Sequence, residues 1–377
     1  MTEIHVFESL AEIPAADWDA LAGDNPFLRH AFLHGLETTG CVGGDTGWIP
    51  RHVAIRHEGV WVAAAPLYEK FHSYGEFVFD WAWARAYQQH GLDYYPKLLC
   101  AIPFSPVSGP RLLVRDAGWL PALVAAMQEV QTRLGTSSLH VLFPPEAARV
   151  ALAQGGALLR NGVQFHWQNA GYADFEAFLA TLSHDKRKKI RQERRRVRDA
   201  GVVLRRLRGD AIEPAHWQFF SRCYRNTYRL HGSTPYLNSA FFRHLGEHLK
   251  EHVLLVLAER DGEPIAAALD LYDGTHLWGR HWGAIESVPG LHFEACYYQG
   301  LEFCIEQGLQ VFEGGAQGEH KLARGFLPVT TWSAHQIADP RFREAIGDFL
   351  ERESAGVAQY VNELEEHAPF RRPESAP

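Results

Sequence analysis

The chain has 377 residues, of which 46% are hydrophobic and 22% charged, an ordinary composition for a soluble globular protein. This length favours two domains or one large domain. No run approaches the roughly 18 apolar residues that a membrane helix needs. The N-terminus carries acids where a signal peptide carries basic residues, so we expect a cytoplasmic protein. The five cysteines are scattered without a C-x-x-C pair, so neither a disulfide framework nor a metal site is expected.

Hydrophobic periodicity predicts the elements of the first half of the chain. It begins with a strand (I-H-V-F), followed by a helix through Trp18 and Leu21. The remaining predicted elements are a helix over 27–37, a hairpin of 52–55 and 60–67, strands over 77–83 and 111–114, a helix over 120–134, a strand over 139–143 and a helix over 145–154.

The second half follows a similar order of elements. It is predicted to contain helices over 175–182 and 184–200, a strand over 202–207, helices over 216–230 and 241–251, a hairpin of 253–259 and 264–272, a strand over 275–285, a long helix over 291–307, strands over 309–312 and 330–337, and a helix from 341. Each half therefore combines helices, an antiparallel hairpin and a strand–long helix–strand run. This order predicts an α+β fold with mixed sheets.

One segment concentrates positive charge in a chain whose net charge is -8. Residues 186–198, which begin at Lys186 and end at Arg198, read K-R-K-K-I-R-Q-E-R-R-R-V-R, with nine basic residues and one acid. This pattern favours a localised anion site over a general nucleic-acid coat. Two interpretations stay open. The helix is a solvated face, or it contacts tRNA phosphates, an anionic lipid-linked precursor or a membrane surface.

The stretch 311–326, V-F-E-G-G-A-Q-G-E-H-K-L-A-R-G-F, carries the densest chemistry. A short strand ends in Glu313, and glycines follow before Lys321 and Arg324. Glycines let the backbone take a positive φ and approach a ligand closely. Charged side chains at the end of a strand are a common way to build a site on an α/β scaffold. A turn with solvated charges is the alternative, and a P-loop is excluded because G-K-[S/T] is absent.

Several segments resemble the FemAB-like group of the GNAT acyltransferases. They are F-V-F-D-W-A-W-A (77–84), P-F-S-P-V-S-G-P-R-L (103–112), L-S-H-D-K-R-K-K-I-R (182–191), G-R-H-W-G (279–283) and the stretch 312–326. The resemblance implies two tandem GNAT-like domains, an N-terminal one over 1–165 and a C-terminal one over 166–340 that contains the basic helix 184–200. A C-terminal helix and tail over 341–377 complete the chain.

The resemblance also implies an N-acyltransferase, which moves an acyl or aminoacyl group to a small-molecule or peptide amine. Two alternatives are an aminoacyl-tRNA-dependent peptidyltransferase acting on a peptidoglycan-type precursor, and a non-catalytic module that binds an anionic envelope precursor.

The implied donor is acyl-CoA or aminoacyl-tRNA. Ordinary GNAT enzymes bind the pyrophosphate of acyl-CoA with a Gly-rich loop at the start of the long helix, whereas residues 286–294 here read E-S-V-P-G-L-H-F-E with one glycine. FemAB-type enzymes that use aminoacyl-tRNA also lack that loop. They carry a basic residue and an R/K-x-G-F-G-like sequence at the place that Lys321 and Arg324-Gly325-Phe326 occupy here.

Acyl transfer to an amine needs a base, donors for the oxyanion and a site for the donor's phosphates. Alternation along the strand predicts that His281 and Arg280 lie on opposite faces. Lys321 and Arg324, three apart in a helical turn, are expected to face one anion. The proton-transfer candidates are Glu313, His281, His320 and Asp80; the donor-phosphate candidates are Lys321, Arg324, Arg280, Gly314, Gly315 and Gly318; the acceptor-groove candidates are Tyr236 and Trp81. A structural role stays open for each of them.

Overall fold

The structure is a computed structural model that describes residues 1–316 and 318–371. The chain divides into two compact units. Unit 1 comprises Met1–Val163 with Thr330–Gln359, and unit 2 comprises Gln164–Val329 with Tyr360–Pro377. Residues 372–377, the end of the predicted tail, lie outside the described residues, as does Gln317 of the glycine-rich stretch.

The elements before the unit break alternate short strands with helices. In chain order they are β1 (Thr2–Phe7), α1 (Ala15–Ala22), α2 (His30–Thr38), β2 (Trp48–Pro50), β3 (His52–His57), β4 (Val60–Ala65), β5 (Leu67–Lys70), α3 (Trp81–Gln89), β6 (Lys97–Cys100), β7 (Leu113–Val114), α4 (Leu120–Leu134), β8 (Ser138–Leu142) and α5 (Glu146–Gln154).

The strand β9 (Leu158–Gln168) runs across the unit break, and the later elements follow it. They are α6 (Phe175–Thr181), α7 (His184–Asp199), β10 (Val202–Arg208), α8 (Pro214–Leu230), α9 (Ser239–His248), β11 (Val253–Arg260), β12 (Glu263–Tyr272), β13 (His276–Ala284), α10 (Leu291–Phe293), α11 (Gln299–Gln307), β14 (Val311–Glu313), β15 (Leu327–Ile337) and α12 (Pro340–Glu366). A π-helical turn, Glu294–Tyr298, joins α10 to α11, and a 3-10 helix, Glu319–Arg324, follows β14. No helix in the described ranges is long and apolar enough to cross a membrane.

In unit 1, an antiparallel sheet of order β1-β3-β4-β7 lies beside the strand run β2-β5-β6-β8-β15, in which β6 and β8 are parallel. The apolar face of α4 covers this core with residues that include Leu123, Met127 and Val130. The predicted strand over 77–83 is wrong. Trp83 and Tyr87 lie four apart on α3 and are buried together against α12, so tertiary packing overrides the β-propensity of the aromatic residues.

The end of the chain returns to unit 1. Residues Ser333–Ile337 of β15 pair with β8, and Phe342, Ile346 and Leu350 of α12 pack with Trp83. Thr330–Gln359 therefore clusters with unit 1, whereas the sequence analysis placed 330–340 in the second domain. The break at Val163 falls close to the predicted boundary at 165.

In unit 2, the strand order is β10-β11-β12-β13-β14-β9. Strands β10 to β13 are antiparallel, and β13 and β14 are parallel. The helix α8 packs on β12 and β13. Its backbone comes so close to β13 that a Cβ built on Gly283 would lie 2.3 Å from the carbonyl oxygen of Cys223.

This contact makes Gly283→Ala a test of the α8–β13 packing. We expect the substitution to lower the free energy of unfolding by about 1–3 kcal/mol, because the helix backbone cannot move aside as a side-chain end can. Denaturant unfolding measures the difference. Gly274→Ala is the control, since nothing lies within 4 Å of a Cβ there. Equal stability of the two variants would contradict the close packing.

Candidate functional site

An opening in unit 2 begins where the parallel strands β13 and β14 stop pairing. They pair over three residues only, ending at Trp278–Glu313. β14 ends there, whereas β13 continues to Ala284 and stays paired with β12 on its other edge. Beyond Glu313, one edge of β13 is therefore not covered by β14. The carboxyl ends of parallel strands are a frequent place for ligand binding in α/β sheets.

Glu313 lies at this opening and is buried. It is in register with His166 of β9, and His166 Nε2 lies 3.9 Å from Glu313 Oε2. Burial, with contributions from His276 and Lys321, lowers the pKa of His166 to about 4, so the ring is neutral near pH 7. The side-chain oxygen of Gln164 is 3.2 Å from His166 Nε2. The Glu313 carboxyl group thus lies beside a neutral imidazole that is hydrogen-bonded to Gln164.

Lys321 is a second ionisable group at the opening. The 3-10 helix carries its side chain inward, where it is 2% exposed and Nζ donates a hydrogen bond to the Gly315 carbonyl at 2.7 Å. Burial lowers the pKa of Lys321 to about 8, and Cys296 partly offsets this effect. The lysine therefore remains mostly protonated at pH 7 but loses its charge in mildly alkaline solution.

The glycines of the stretch shape the space around Lys321. A Cβ on Gly314 would lie 3.3 Å from Lys321 Cδ, closer than ordinary contact. Gly315, whose carbonyl accepts from the lysine, has a φ of +88°, which side-chain-bearing residues rarely adopt. Gly318 precedes the 3-10 helix with a φ of +116°. Gly314 and Gly315 make room for the lysine, while contact of the three glycines with a donor's phosphates stays a prediction.

A β-bulge places Arg280 and His281 differently from the prediction. Asp270 pairs with Gly279 and Leu269 with His281, which leaves Arg280 as the extra residue of β13. The His281 ring centroid is 5.0 Å from that of Tyr224 on α8, and Arg280 is close enough to Tyr224 to oppose the rise that burial causes in its pKa. Both residues therefore approach α8, and the expectation of opposite faces is wrong because the bulge breaks the alternation.

Arg280 interacts electrostatically with two tyrosines of α8, Tyr224 and Tyr228, and with Glu313. Burial lowers the pKa of Arg280 to about 10, while Tyr228, Tyr224 and Glu313 act in the opposite direction. The guanidinium stays charged at neutral pH. Tyr236 lies beside these tyrosines, with its ring centroid 6.0 Å from that of Tyr228. A succession of neighbours thus links the predicted residues Tyr236, Arg280 and Glu313 in unit 2.

The other histidines fit proton transfer less well. Burial, with help from Arg280, lowers the pKa of His281 well below its usual value, and the ring packs against Tyr224 and Phe242. This arrangement favours the structural alternative for His281. His320 is exposed and shares a 3.0 Å hydrogen bond with Tyr297.

Arg324 does not share an anion with Lys321. Its Nη2 lies 2.9 and 2.8 Å from the two carboxylate oxygens of Glu193, Nε donates to Tyr298 and Nη1 to the His320 carbonyl. Both Arg324 and Glu193 are buried. The one acid of the segment 186–198 therefore pairs with the arginine, which is why the predicted pairing of Lys321 and Arg324 on one anion is wrong.

Asp80 and Trp81 belong to unit 1. Asp80 is buried, forms an ion pair with Lys97 and accepts a hydrogen bond from Tyr94 at 2.6 Å. Burial alone would raise the pKa of Asp80, but Lys97 holds it below its usual value, so this carboxylate is a poor proton acceptor. Trp81 is 37% exposed, with its ring centroid 5.0 Å from that of Tyr74. Their roles in catalysis and acceptor binding stay predictions.

The family of the chain follows from comparison with known proteins. The FemAB-like family, described as peptidoglycan biosynthesis/recognition, matches residues 9–372. The chain belongs to the FemAB-like family. This membership confirms the predicted family, and the predicted acyl or aminoacyl transfer agrees with it. No curated protein matches the chain.

Solved structures resemble this FemAB-like chain in fold. FemX is similar with a TM-score of 0.56 and 12% identity, over 89% of this chain and 98% of FemX. L-PGS from Bacillus licheniformis has a TM-score of 0.52 and 10% identity, over 90% of this chain and 96% of its own. The predicted fold class is confirmed. At such identities the similarity shows the fold alone.

The basic helix of this FemAB-like chain is anchored on one side and charged on the other. Ile190, Glu193 and Val197 are buried, at helical spacing. Of the nine basic residues, Arg194 pairs with Glu294 and Glu302, and Arg191 pairs with Glu176. The other seven form no ion pair with any residue that the structure describes: Lys186, Arg187, Lys188, Lys189, Arg195, Arg196 and Arg198.

The sequence analysis missed Gln164 and His166 because it predicted no element between 154 and 175. The signal was present in Q-F-H-W, where polar Gln164 and His166 alternate with Phe165 and Trp167, as in a strand. Within 1–316 and 318–371, no group of three or more His, Cys, Asp or Glu side chains could hold a metal ion.

The buried contacts of Arg324 predict a stability defect on its substitution. We expect Arg324→Gln to lower the free energy of unfolding by about 3–5 kcal/mol, because it leaves the Glu193 carboxylate buried without its ion pair. The double variant Glu193→Gln/Arg324→Gln should recover part of this loss. Denaturant unfolding measures both, with exposed Arg243→Gln as the control. A stability of Arg324→Gln equal to that of the control would show that the guanidinium is free for a ligand.

Proposed function

We propose that this chain is an N-acyltransferase and that it transfers an acyl or aminoacyl group to an amine at the opening beside Glu313. The observation that carries the proposal is the proximity of a buried carboxyl group, a buried lysine with a lowered pKa and a half-buried arginine to the place where β13 and β14 stop pairing. Perturbed ionisable groups that converge in one opening are typical of catalytic sites.

In the proposed reaction, the acceptor nitrogen attacks the carbonyl carbon of the donor. A C–N bond forms, and the C–O bond of an aminoacyl ester or the C–S bond of a thioester breaks. Glu313 takes the proton that the amine loses and gives it to the departing oxygen or sulfur. The Lys321 ammonium stabilises the negative charge that develops on the carbonyl oxygen. Arg280 lies near Glu313, whose negative charge opposes the lowering of the Arg280 pKa by burial.

The partners of this reaction are part of the proposal. The tyrosine wall of Tyr224, Tyr228 and Tyr236 gives apolar rings with polar tips, which suits a peptide or small-molecule amine acceptor. The donor is acyl-CoA or aminoacyl-tRNA. The unpaired basic residues of α7 favour aminoacyl-tRNA, whose phosphates they would contact, or an anionic lipid-linked precursor. A cytoplasmic location, where both donors are available, stays a prediction.

Glu313→Gln tests the proposed chemistry. We expect it to lower kcat about 100-fold or more, because the amide cannot accept the proton. Transfer is measured by mass spectrometry with a panel of aminoacyl-tRNAs and acyl-CoAs and a peptidoglycan-type peptide amine. Exposed Glu263→Gln in β12 is the matched control. The alternative of a non-catalytic module that binds an anionic envelope precursor predicts precursor binding without turnover in the wild-type protein, a result that would refute the transferase.

Lys321→Arg tests the charge of the lysine through pH. Because its pKa lies near 8, the wild-type lysine loses its positive charge between about pH 7 and 9, so kcat/KM should fall through this range. An arginine stays protonated there, and the variant's rate should hold to higher pH even if its maximum is lower. The pH profiles of the two proteins decide the matter. An alkaline fall shared by both would assign the titration to another group.

A further inference from the structure

A groove in unit 2 lies next to the opening and contains none of the predicted site residues. Its volume is about 950 Å³, within the range of sites for small molecules and cofactors. One wall is the C-terminal half of α8, and the other is the end of β13 with the loop that leads into α10. The groove therefore borders the start of the long helix, where residues 286–294 lack the Gly-rich, basic pattern of ordinary GNAT enzymes.

The α8 wall supplies the positive charge that this loop lacks. Arg222, Arg225 and Arg229 line the groove at spacings of three and four residues, which places them along one face of the helix. All three are exposed, and none forms an ion pair with a residue in the described ranges. Arg229 is oriented by a 2.7 Å hydrogen bond from Nη2 to the Asn226 side chain.

The charge of the opposite wall is balanced. Glu286, the acid in the groove lining, pairs with Arg260. His292 lies at the start of the long helix, where burial lowers its pKa to about 4, so it is neutral at pH 7. The three arginines thus make the groove positive without help from His292.

The floor of the groove is apolar. Val288 and Leu291 are buried, Ile285 is 40% exposed, and the Trp282 ring lies edge-on to His292 with centroids 5.5 Å apart. A ligand that fits has anionic groups beside an aromatic ring or an alkyl chain. A nucleotide with several phosphate groups has this chemistry.

The groove and the opening share strand β13. Gly279 borders the opening and Ala284 lines the groove, five residues further along, which is about 17 Å of strand. The side chains of Thr227 and Asn226 on α8 donate to the carbonyls of Trp282 and Ala284, so α8 is fixed to this part of the strand. The backbone of α8 closes the face of β13 at Gly283, so a donor bound in the groove would reach toward Glu313 and Lys321 along the edge of β13 that β14 does not cover.

We propose that Arg222, Arg225 and Arg229 form an anion site that binds phosphate groups in the nucleotide part of the donor, with a base of that part on the apolar floor at Trp282. The inference rests on the proposed transferase function and deepens it. Both donor classes place phosphate groups at a distance from the reacting ester. In CoA the pantetheine arm separates the phosphorylated adenosine diphosphate from the thioester. In aminoacyl-tRNA the phosphodiesters of the CCA end precede the terminal adenosine, whose ribose carries the ester. The groove takes the place of the missing Gly-rich loop.

The test compares two full-length triple variants with the same loss of charge. One is Arg222→Gln/Arg225→Gln/Arg229→Gln. The control is Arg115→Gln/Arg243→Gln/Arg352→Gln, at exposed arginines outside the groove. Calorimetry measures the binding of CoA and of an RNA oligonucleotide ending in CCA, without turnover, and thermal unfolding checks that both variants are folded.

We expect the groove variant to bind one of the two probes at least about 10-fold more weakly than wild type, because charge-assisted contacts to phosphate are lost. The control should stay within about twofold. A smaller dependence of RNA affinity on salt in the groove variant would assign the phosphates to tRNA, and an effect on CoA alone would assign them to CoA. Wild-type affinity of the groove variant for both probes, an equal loss in the control, or no binding by wild type would overturn the proposal.

The outcomes separate this proposal from the proposed function. Glu313→Gln should retain wild-type affinity for the probe, because Glu313 lies at the opening and not in the groove. Loss of transfer in Glu313→Gln with normal binding by the groove variant would leave the transferase standing without this anion site. Arginine-dependent binding in a wild-type protein that transfers nothing would leave the anion site standing without the transferase.

Discussion

The buried ion pair between Glu193 and Arg324 is the interaction on which the arrangement of the site depends. Glu193 is the only acid among the basic residues of 186–198, and it faces inward where Arg324 and Tyr298 meet it. This cluster ties three elements together: α7, the long helix and the 3-10 helix. Lys321 lies one turn before Arg324 in that 3-10 helix, so the ion pair also fixes the lysine that points into the opening. Removal of either partner would leave an uncompensated buried charge, which is far more costly than the pair itself.

The ionisable groups of the proposed site in unit 2 lie where the pairing of β13 and β14 ends. Three residues of parallel pairing hold β13 and β14 together, and the strands then part. The bulge at Arg280 turns both Arg280 and His281 toward α8, so that Arg280 lies near the tyrosine wall and Glu313 while His281 becomes part of the aromatic packing. Burial then acts on each group in the direction expected for its charge. It lowers the pKa of Lys321 and of His166, leaving a lysine that titrates in mildly alkaline solution and a neutral histidine beside the carboxyl group.

Positive charge in unit 2 is divided among three places with different surroundings. Arg324 forms a buried ion pair with Glu193. The basic residues of α7 that form no ion pair face solvent, and the arginines of α8 face a groove with an apolar floor. The net charge of the whole chain is negative and therefore does not reveal these groups of positive side chains. An anion that meets α7 finds a long exposed stripe suited to a polymer of phosphates, whereas the groove has the size and polarity of a site for a single nucleotide. A donor with a polymeric nucleic-acid body and a nucleotide end could use both.

The sequence by itself determined the elements with strong periodicity, the α+β class and the FemAB-like resemblance, and it indicated Glu313 and Lys321 as candidates, because apolar spacing and clustered glycines and charges are local properties. Prediction from the sequence failed where contacts between residues distant in sequence determine the local structure or the partner of a side chain. The aromatic run at 77–83 became the start of a helix because α12 covers Trp83 and Tyr87. Arg324 became structural because Glu193, 131 residues away, reaches it. His166 lies beside Glu313 because β9 pairs with β14. The proposed anion site includes Arg222, Arg225 and Arg229 because α8 lies against β13. The sequence gives the type of each side chain. Whether a charged side chain forms an ion pair inside the fold or stays available to a ligand depends on which distant groups the tertiary structure brings within a few ångströms.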